Sequence, residues 1–516
     1  MYENSAELAE NKLLVLYVME SLKSPITNTQ LTEIILENNL INMAHLGTNA
    51  FDGSGLGTVV QTCSFVMRKK CNSNYTSMYV RLVNFPNSTL KSYEIVNSNN
   101  AYYVENEKFD LIPGATFAYW ISENLRDMFK SDSISKIAEA RIGLVPGNIE
   151  KYMRRWQEVD YSKIGFMCTR EVASKSNLKW FPYNKGGLYR KWYGNQEYVI
   201  DWENDGKEMQ NLKHPSGNRI WAHNFNLDHI FKKHIGWTDI AADNISFREY
   251  GQGFIFDSAS NAAFVSEENY YIVLGYLNTK IVKELAITLN PTLHFKPGDF
   301  LSLPFKNEMN SEITELVKQN ILFAKKDWNQ FETSWEFQKD RIVNKSEKNN
   351  IEIIVKELLE NDICDRKLMK CNEEKINEIF IHIFHLDDDF KKEVSIESVN
   401  FYNSKSKDII KYFISYVVGC MFGRYSLSEK GVVYAGGNWD IGKYSIFVPD
   451  TDNIIPISDE EYFEDDITCK FIEFIKIVFG ELLLEDNLKY IANILDGKGN
   501  NDKEIIRNYF IKDFFK

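Results

Sequence analysis

Apolar residues near the amino end recur at helical spacing. Leu13, Leu14, Leu16, Tyr17 and Leu22 predict a helix from about Ala6 to Ser24, where Ser24-Pro25 would end it. Thr27 or Asn28 then caps a second helix, with Leu31, Ile34, Ile35 and Leu40 on its apolar face. Helix, tight turn and helix is how a helix-turn-helix unit opens, but no third helix or wing follows. A plain helical hairpin is the simpler reading. Past Asn49 the texture changes to strands, with β-rich runs at Val59–Met67 and Met78–Val83. Ser122 to Ala140 reads as mainly helical. From Trp156 to Leu303 short strands alternate with Gly/Asn/Pro turns and many aromatics, the texture of a loop-rich mixed α/β recognition domain. Helices dominate from Glu312 to about Leu386, with a polar linker at Lys345–Asn349. The last section is mixed and ends in helices around Phe471–Leu484 and Asp502–Phe515.

A length of 516 residues with 44% hydrophobic positions supports several buried cores, so the chain is multidomain. The net charge of −13 argues at first against a nucleic-acid partner. Distribution changes that picture. Asp160–Asn195 carries seven Lys/Arg against two acids, a net +5, whereas Thr451–Lys516 carries eight against fifteen, a net −7. One lobe is suited to polyanions and the other to protein contacts. The seven cysteines form no C-x-x-C pair, and an odd number fits a reducing compartment. Cys364 and Cys371 lack the His partners of a structural zinc site, so no metal is expected. The amino end starts acidic and lacks a continuous apolar run, which predicts no signal peptide. Ile409–Phe422 is too short to span a membrane. The expectation is a cytoplasmic protein without a membrane partner.

Phe51-Asp52-Gly53-Ser54-Gly55-Leu56-Gly57 has the composition of a loop that cradles S-adenosyl-methionine. Such a loop should follow a buried strand and open a helix, whereas this one precedes a predicted strand, so a plain glycine-rich turn is favoured. The run from Lys179 to Asn195 is more informative. Lys179, Lys185, Arg190 and Lys191 are candidates for phosphates, and Gly186-Gly187 for close backbone approach. Trp180, Tyr183, Trp192 and Tyr193 are candidates for stacking on bases, and Arg190 for reading a guanine edge. The alternative is an aromatic cluster packed on its own core with solvated cations, and composition alone does not separate the two. Asn290-Pro291-Thr292-Leu293 reads as a strand–turn junction. No catalytic residue is assigned. Amino-methylating DNA enzymes hold the flipped base with an (Asn/Asp/Ser)-Pro-Pro-(Tyr/Phe) loop, and the sequence contains no Pro-Pro dipeptide.

Several separated motifs, in order, carry a resemblance. They include Asn42-Met43-Ala44-His45-Leu46-Gly47, Ala118-Tyr119-Trp120, Trp180-Phe181-Pro182-Tyr183-Asn184-Lys185-Gly186-Gly187 and Arg190-Lys191-Trp192-Tyr193-Gly194-Asn195. Pro113-Gly114, Trp202-Glu203-Asn204-Asp205-Gly206, Asn290-Pro291-Thr292, Tyr416–Ser426, Ala435-Gly436-Gly437 and Asp459–Phe463 complete the set. From about Ile41 to the end, the chain resembles the carboxy-terminal part of the PglX family, the adenine-specific DNA methyltransferases of BREX phage defence. The resemblance implies S-adenosyl-methionine as methyl donor, adenine N6 as the methylated atom, and a target-recognition domain followed by a helical region. Family members usually continue from the position of Gly143 with Thr-Gly-Asp-Asn, where this chain has Val145-Pro146-Gly147-Asn148. A DNA contact by that Thr or Asp is therefore in doubt. Residues 1–42 resemble instead the start of an uncharacterised winged-helix-like family. The expectation is a chain joined from two sources and shorn at both ends.

The expected fold class is mixed α/β and multidomain. Residues 1–42 form a helix-turn-helix-like segment, and 43–110 a remnant of a Rossmann-like methyltransferase sheet. The target-recognition domain spans 111–305, a helical spacer 306–400, and an acidic, truncated carboxy-terminal domain 401–516. The implied function is site-specific DNA adenine-N6 methylation, with recognition retained and the catalytic loop missing, so this chain alone would be inactive. Two alternatives stand beside it: a non-catalytic DNA-specificity or protein-interaction subunit, and a fragment of a fused restriction–modification enzyme. Double-stranded DNA is the expected partner, with other BREX proteins or a chain carrying the catalytic half.

Overall fold

The computed structural model describes residues 39–50, 62–69, 75–97, 100–240, 244–290, 294–308, 310–346 and 350–515. The two expected amino-terminal helices up to residue 38 and the glycine-rich Phe51–Gly57 lie outside them. Leu40 does not sit on a helical face. It belongs to strand β1 (Asn39–Gly47), buried with Met67, Tyr79, Val104, Phe109 and Tyr119. Four residues at helical spacing are a weak signal, and pairing with neighbouring strands overrides it. β1 runs antiparallel to β2 (Thr62–Arg68) and parallel to β3 (Thr76–Arg81), and β3 pairs with β4 (Ala101–Glu105), giving the order β2-β1-β3-β4. Helix α1 (Ser88–Asn97) is tied beneath by Lys91, whose buried ammonium donates to the carbonyls of Leu46 and Leu82 at 2.5 and 2.8 Å.

The stretch expected to be helical from Ser122 to Ala140 is only partly so. Short turns at Glu123–Asp127, Met128–Lys130 and Ile134–Lys136 give way to strand β5 (Ala138–Arg141). Ala138 and Ala140 face inward while Glu139 faces out, a two-residue alternation that suits a sheet with one covered face.

Two further four-stranded sheets follow among the described residues. One has the order β10-β9-β12-β5, with β9 (His234–Thr238), β10 (Phe247–Tyr250) and β12 (Ser260–Val265). The other has the order β11-β7-β8-β6, with β6 (Met153–Arg155), β7 (Trp180–Asn184), β8 (Tyr198–Asp201) and β11 (Ile255–Phe256). Residues 257–259 link β11 to β12, so the chain crosses between the sheets at Asp257. The first of these sheets packs on α2 (Glu267–Leu277), α3 (Lys280–Leu289), α4 (Ser311–Asn329) and the carboxy-terminal half of α5 (Ile351–Phe384).

At 34 residues, α5 is about 50 Å long and joins two cores. Its first turns pack Ile351, Ile354, Val355 and Leu358 into a second core built with α6 (Ser406–Met421), α7 (Ile467–Phe479), α8 (Leu484–Leu495) and α9 (Asp502–Lys512). The dense apolar residues of α7 are accommodated inside the chain. Phe471, Phe474, Ile475 and Phe479 are buried in that core, while Ile477 remains 40% exposed. Among the described residues, no helix is long and apolar enough to cross a membrane. The architecture is mixed α/β with several sheets, in line with the class expected from the sequence.

Candidate nucleic-acid interface

The basic–aromatic run divides at Leu188. Its first part is β7 and the loop after it. Phe181, Tyr183 and Asn184 are buried, and the Tyr183 hydroxyl donates to Asp257 Oδ2 at 2.5 Å. Lys185 Nζ lies 2.8 Å from the same carboxylate. Lys179 is 3.3 Å from Asp201 and lies over the Trp180 ring. Asn184 is the hub of the turn. Its Oδ1 accepts from the Gly186 amide and from the Ser260 hydroxyl, and its Nδ2 donates to His234 Nε2. Gly186 and Gly187 adopt φ of 79° and 138°, and a Cβ on Gly187 would stand 2.8 Å from Asn195 Nδ2. Only glycine takes this path without strain.

Two residues outside the run hold the loop from below. Thr238 Oγ1 donates to the Gly187 carbonyl at 3.0 Å, and Arg248 Nη2 donates to Thr238 Oγ1 at 3.0 Å. Arg248 Nη1 reaches the Leu188 carbonyl at 3.4 Å, and Asn195 Nδ2 donates to the same oxygen at 2.9 Å. Arg248 is fully buried and, among the described residues, has no carboxylate within ion-pair distance. Burial holds its guanidinium below the usual pKa, and Arg190 nearby adds to that. Above this support the Leu188 side chain is 86% exposed.

The second part turns inward. Arg190 Nη2 meets Asp327 of α4 at 2.5 Å, its Nε donates to the Tyr193 carbonyl, and its guanidinium lies 5.0 Å from the Trp328 ring. Lys191 Nζ meets Glu373 of α5 at 2.9 Å, and the buried Trp192 Nε1 donates to the other oxygen of Glu373 at 2.8 Å. Burial alone would lower the Lys191 pKa, yet Glu373 and Tyr189 together hold it above the ordinary lysine value. Asn400 completes the clasp by accepting from the Lys191 amide and donating to the Tyr189 carbonyl. Tyr193 is buried, with its hydroxyl 3.4 Å from Glu336. Arg190, Lys191, Trp192 and Tyr193 thus fasten the sheets to α4 and α5, and their polar atoms already have protein partners. Lys179, Trp180, Lys185 and Gly187 retain contact with solvent. Sequence reading missed Arg248, Thr238 and Asp257, which lie far along the chain from the glycine pair.

This geometry belongs to a sequence with known relatives. Residues 11–49 match a family described only as a domain of unknown function, DUF4364. The adenine-specific methyltransferase PglX of Lacticaseibacillus casei (strain Zhang) is 37% identical over 492 residues, covering 92% of this chain and 41% of that protein. Most of this chain is homologous to part of a PglX-type methyltransferase. BrxX of Escherichia coli O9:H4 (strain HS), also an adenine-specific methyltransferase, is 34% identical over 518 residues, covering 93% of this chain and 41% of its own length. The chain therefore spans about two fifths of these PglX-type relatives. Among solved structures, the Type IIL restriction-modification enzyme MmeI in complex with DNA aligns at a TM-score of 0.40 and 8% identity. That alignment covers 74% of this chain and 49% of MmeI.

Proposed function

We propose that this chain supplies DNA target recognition and the carboxy-terminal region of a BREX-type, site-specific DNA adenine-N6 methyltransferase, without the catalytic Pro-Pro loop. The homology to PglX, covering 92% of the chain, carries this reading. In it, β1–β4 represent the end of a Rossmann-like methyltransferase sheet, the region 111–305 recognises DNA, and 306–516 forms the helical spacer and carboxy-terminal domain. The proposed DNA face is the solvent-reaching part of the run, Lys179, Trp180, Lys185 and Gly187, with the buried Gly186 shaping the turn beneath it. Tyr183, Arg190, Lys191, Trp192 and Tyr193 are assigned to holding that face against the helices. S-adenosyl-methionine is the methyl donor the family uses, but Phe51–Gly57 leads towards strand β2, which is not the setting of a donor-binding loop. Methyl transfer is therefore assigned to a partner chain carrying the catalytic half, and other BREX proteins are further candidate partners.

Titrating the full chain with duplex DNA over a salt series tests the reading. Affinity should fall linearly with salt on a log–log plot, because each neutralised phosphate releases counterions. Labelled methyl groups should not reach adenine when only this chain is present. Absence of DNA binding at low salt, or methyl transfer by the pure chain, would overturn the assignment.

A further inference from the structure

Arg248 is one of several cations buried without an ion-paired acid among the described residues, with Arg126 and Lys91, and of these it is the one beneath the basic–aromatic run. A guanidinium removed from water without a carboxylate loses most of its hydration, which native structures normally offset with a paired acid. Here the neighbouring cations have such partners: Lys185 has Asp257, Arg190 has Asp327 and Lys191 has Glu373. Among the described residues, the Arg248 side chain has only Thr238 Oγ1 and the Leu188 carbonyl, and its Nε has no partner. Both of its contacts lead to one place, the loop Lys185–Leu188. That loop is rigid, since the Gly186 amide and the Gly187 and Leu188 carbonyls are held by Asn184, Thr238 and Asn195 respectively. None of the hydrogen bonds among the described residues uses the amide N–H of Gly187 or Leu188, and both residues are exposed. Consecutive amides in a turn with left-handed glycines form a concavity suited to an anion.

We propose that the Lys185–Leu188 loop is a phosphate cradle in which the Gly187 and Leu188 amides contact the anion, and buried Arg248 acts beneath them as a positioning residue. Arg248 holds the Leu188 carbonyl and sets an uncompensated positive field under the loop. This rests on the DNA-recognition reading for the source of the phosphate, the DNA backbone. It does not rest on it for the chemistry of the site.

The test uses the full chain, duplex DNA over a salt series, and thermal unfolding. Arg248→Met keeps much of the buried volume and removes the charge, so it should unfold at the wild-type temperature or above. It should bind DNA about ten-fold more weakly at low salt, with a log–log slope reduced by up to about one. A folded variant with unchanged affinity and slope overturns the proposal. Gly187→Ala is the second variant. It forces the loop to move without altering charge and should lose affinity similarly, and it decides the matter if Arg248→Met does not fold. Inorganic phosphate supplies the independent arm. A rise in melting temperature with phosphate, abolished in both variants, supports the cradle even if wild-type protein binds no DNA, in which case only the DNA-recognition reading fails. DNA binding that depends on Arg248, without a phosphate response, assigns the cradle to the polymer backbone. No response to either ligand overturns it.

Discussion

Arg190 and Arg248 lie close together, yet they sit in regions built on opposite principles. Around Arg190, each cation of the clasp faces a buried carboxylate on a helix, and the charges are closed off inside the protein. Around Arg248, the positive charge has no ion-paired acid among the described residues, and its hydrogen bonds lead to an exposed loop. The first arrangement holds two parts of the molecule together. The second leaves a positive field for something outside. The number of lysines and arginines in a stretch therefore says little about whether they can meet a polyanion. The deciding quantity is where the carboxylates are, and those of the clasp lie 137 and 182 residues away in sequence.

The largest effect that sharpens this comparison should come from the clasp. Asp327→Ala or Glu373→Ala leaves a buried cation without its acid, and in the second case also strands the Trp192 Nε1. Each should lower stability by about 3–5 kcal/mol, read by urea denaturation, because the remaining charge keeps its desolvation cost and loses its partner. A loss under about 1 kcal/mol would mean that Arg190 and Lys191 swing out to solvent, and the distinction between the two regions would collapse.

A smaller, pH-dependent effect should come from beneath the loop. His234 is fully buried and stacked on Tyr250, its Nδ1–H donates to the Lys232 carbonyl, and its Nε2 accepts from Asn184. Burial lowers its pKa from 6.5 to about 4. Below pH 6.5 the unfolded chain binds a proton that the folded chain refuses, so stability falls as pH drops from 6.5 towards 4, by about 3 kcal/mol in all. Protonation would also take away the acceptor that fixes the Asn184 amide, and with it the Gly186 turn. Unfolding measured from pH 7.5 to 4 should show this loss, and His234→Gln should flatten the profile. An identical slope in the variant would assign the acid sensitivity to other groups.

The sequence made some of this legible and hid the rest for identifiable reasons. Long periodic helices such as α4 and α5 could be read, since a 3.6-residue repeat over many turns is a strong local signal. The run Lys179–Asn195 was also visible as a unit of composition. Its division at Leu188 was not, because that depends on Asp257, Asp327 and Glu373, which only folding brings near. Arg248 gave no signal either, standing among Phe247, Glu249 and Tyr250 as an ordinary strand residue. Leu40 was misplaced on a helix because its burial comes from strand pairing with residues far beyond any local window.

The smallest effect is expected at the acidic end, where the comparison extends to a surface that should not meet DNA at all. Thr451–Lys516 carries a net −7, and like charges repel a phosphate backbone within a Debye length of about 8 Å at physiological salt. Deleting this whole segment would be uninformative, since α7, α8 and α9 build much of the second core. The loop before α7 is a better probe. Tyr462 and Phe463 are 64% and 53% exposed, and they lie among Asp459, Glu460, Glu461, Glu464 and Asp465. Exposed aromatics set in acids suit a basic protein partner rather than a nucleic acid. Replacing both by Ser removes apolar surface already in water, so stability should change by less than about 0.5 kcal/mol. DNA affinity and its salt slope should stay at the wild-type values, in contrast to Arg248→Met. If the double variant remains folded but binds DNA more weakly, the acidic lobe takes part in recognition, and the DNA face extends beyond the loop above Arg248.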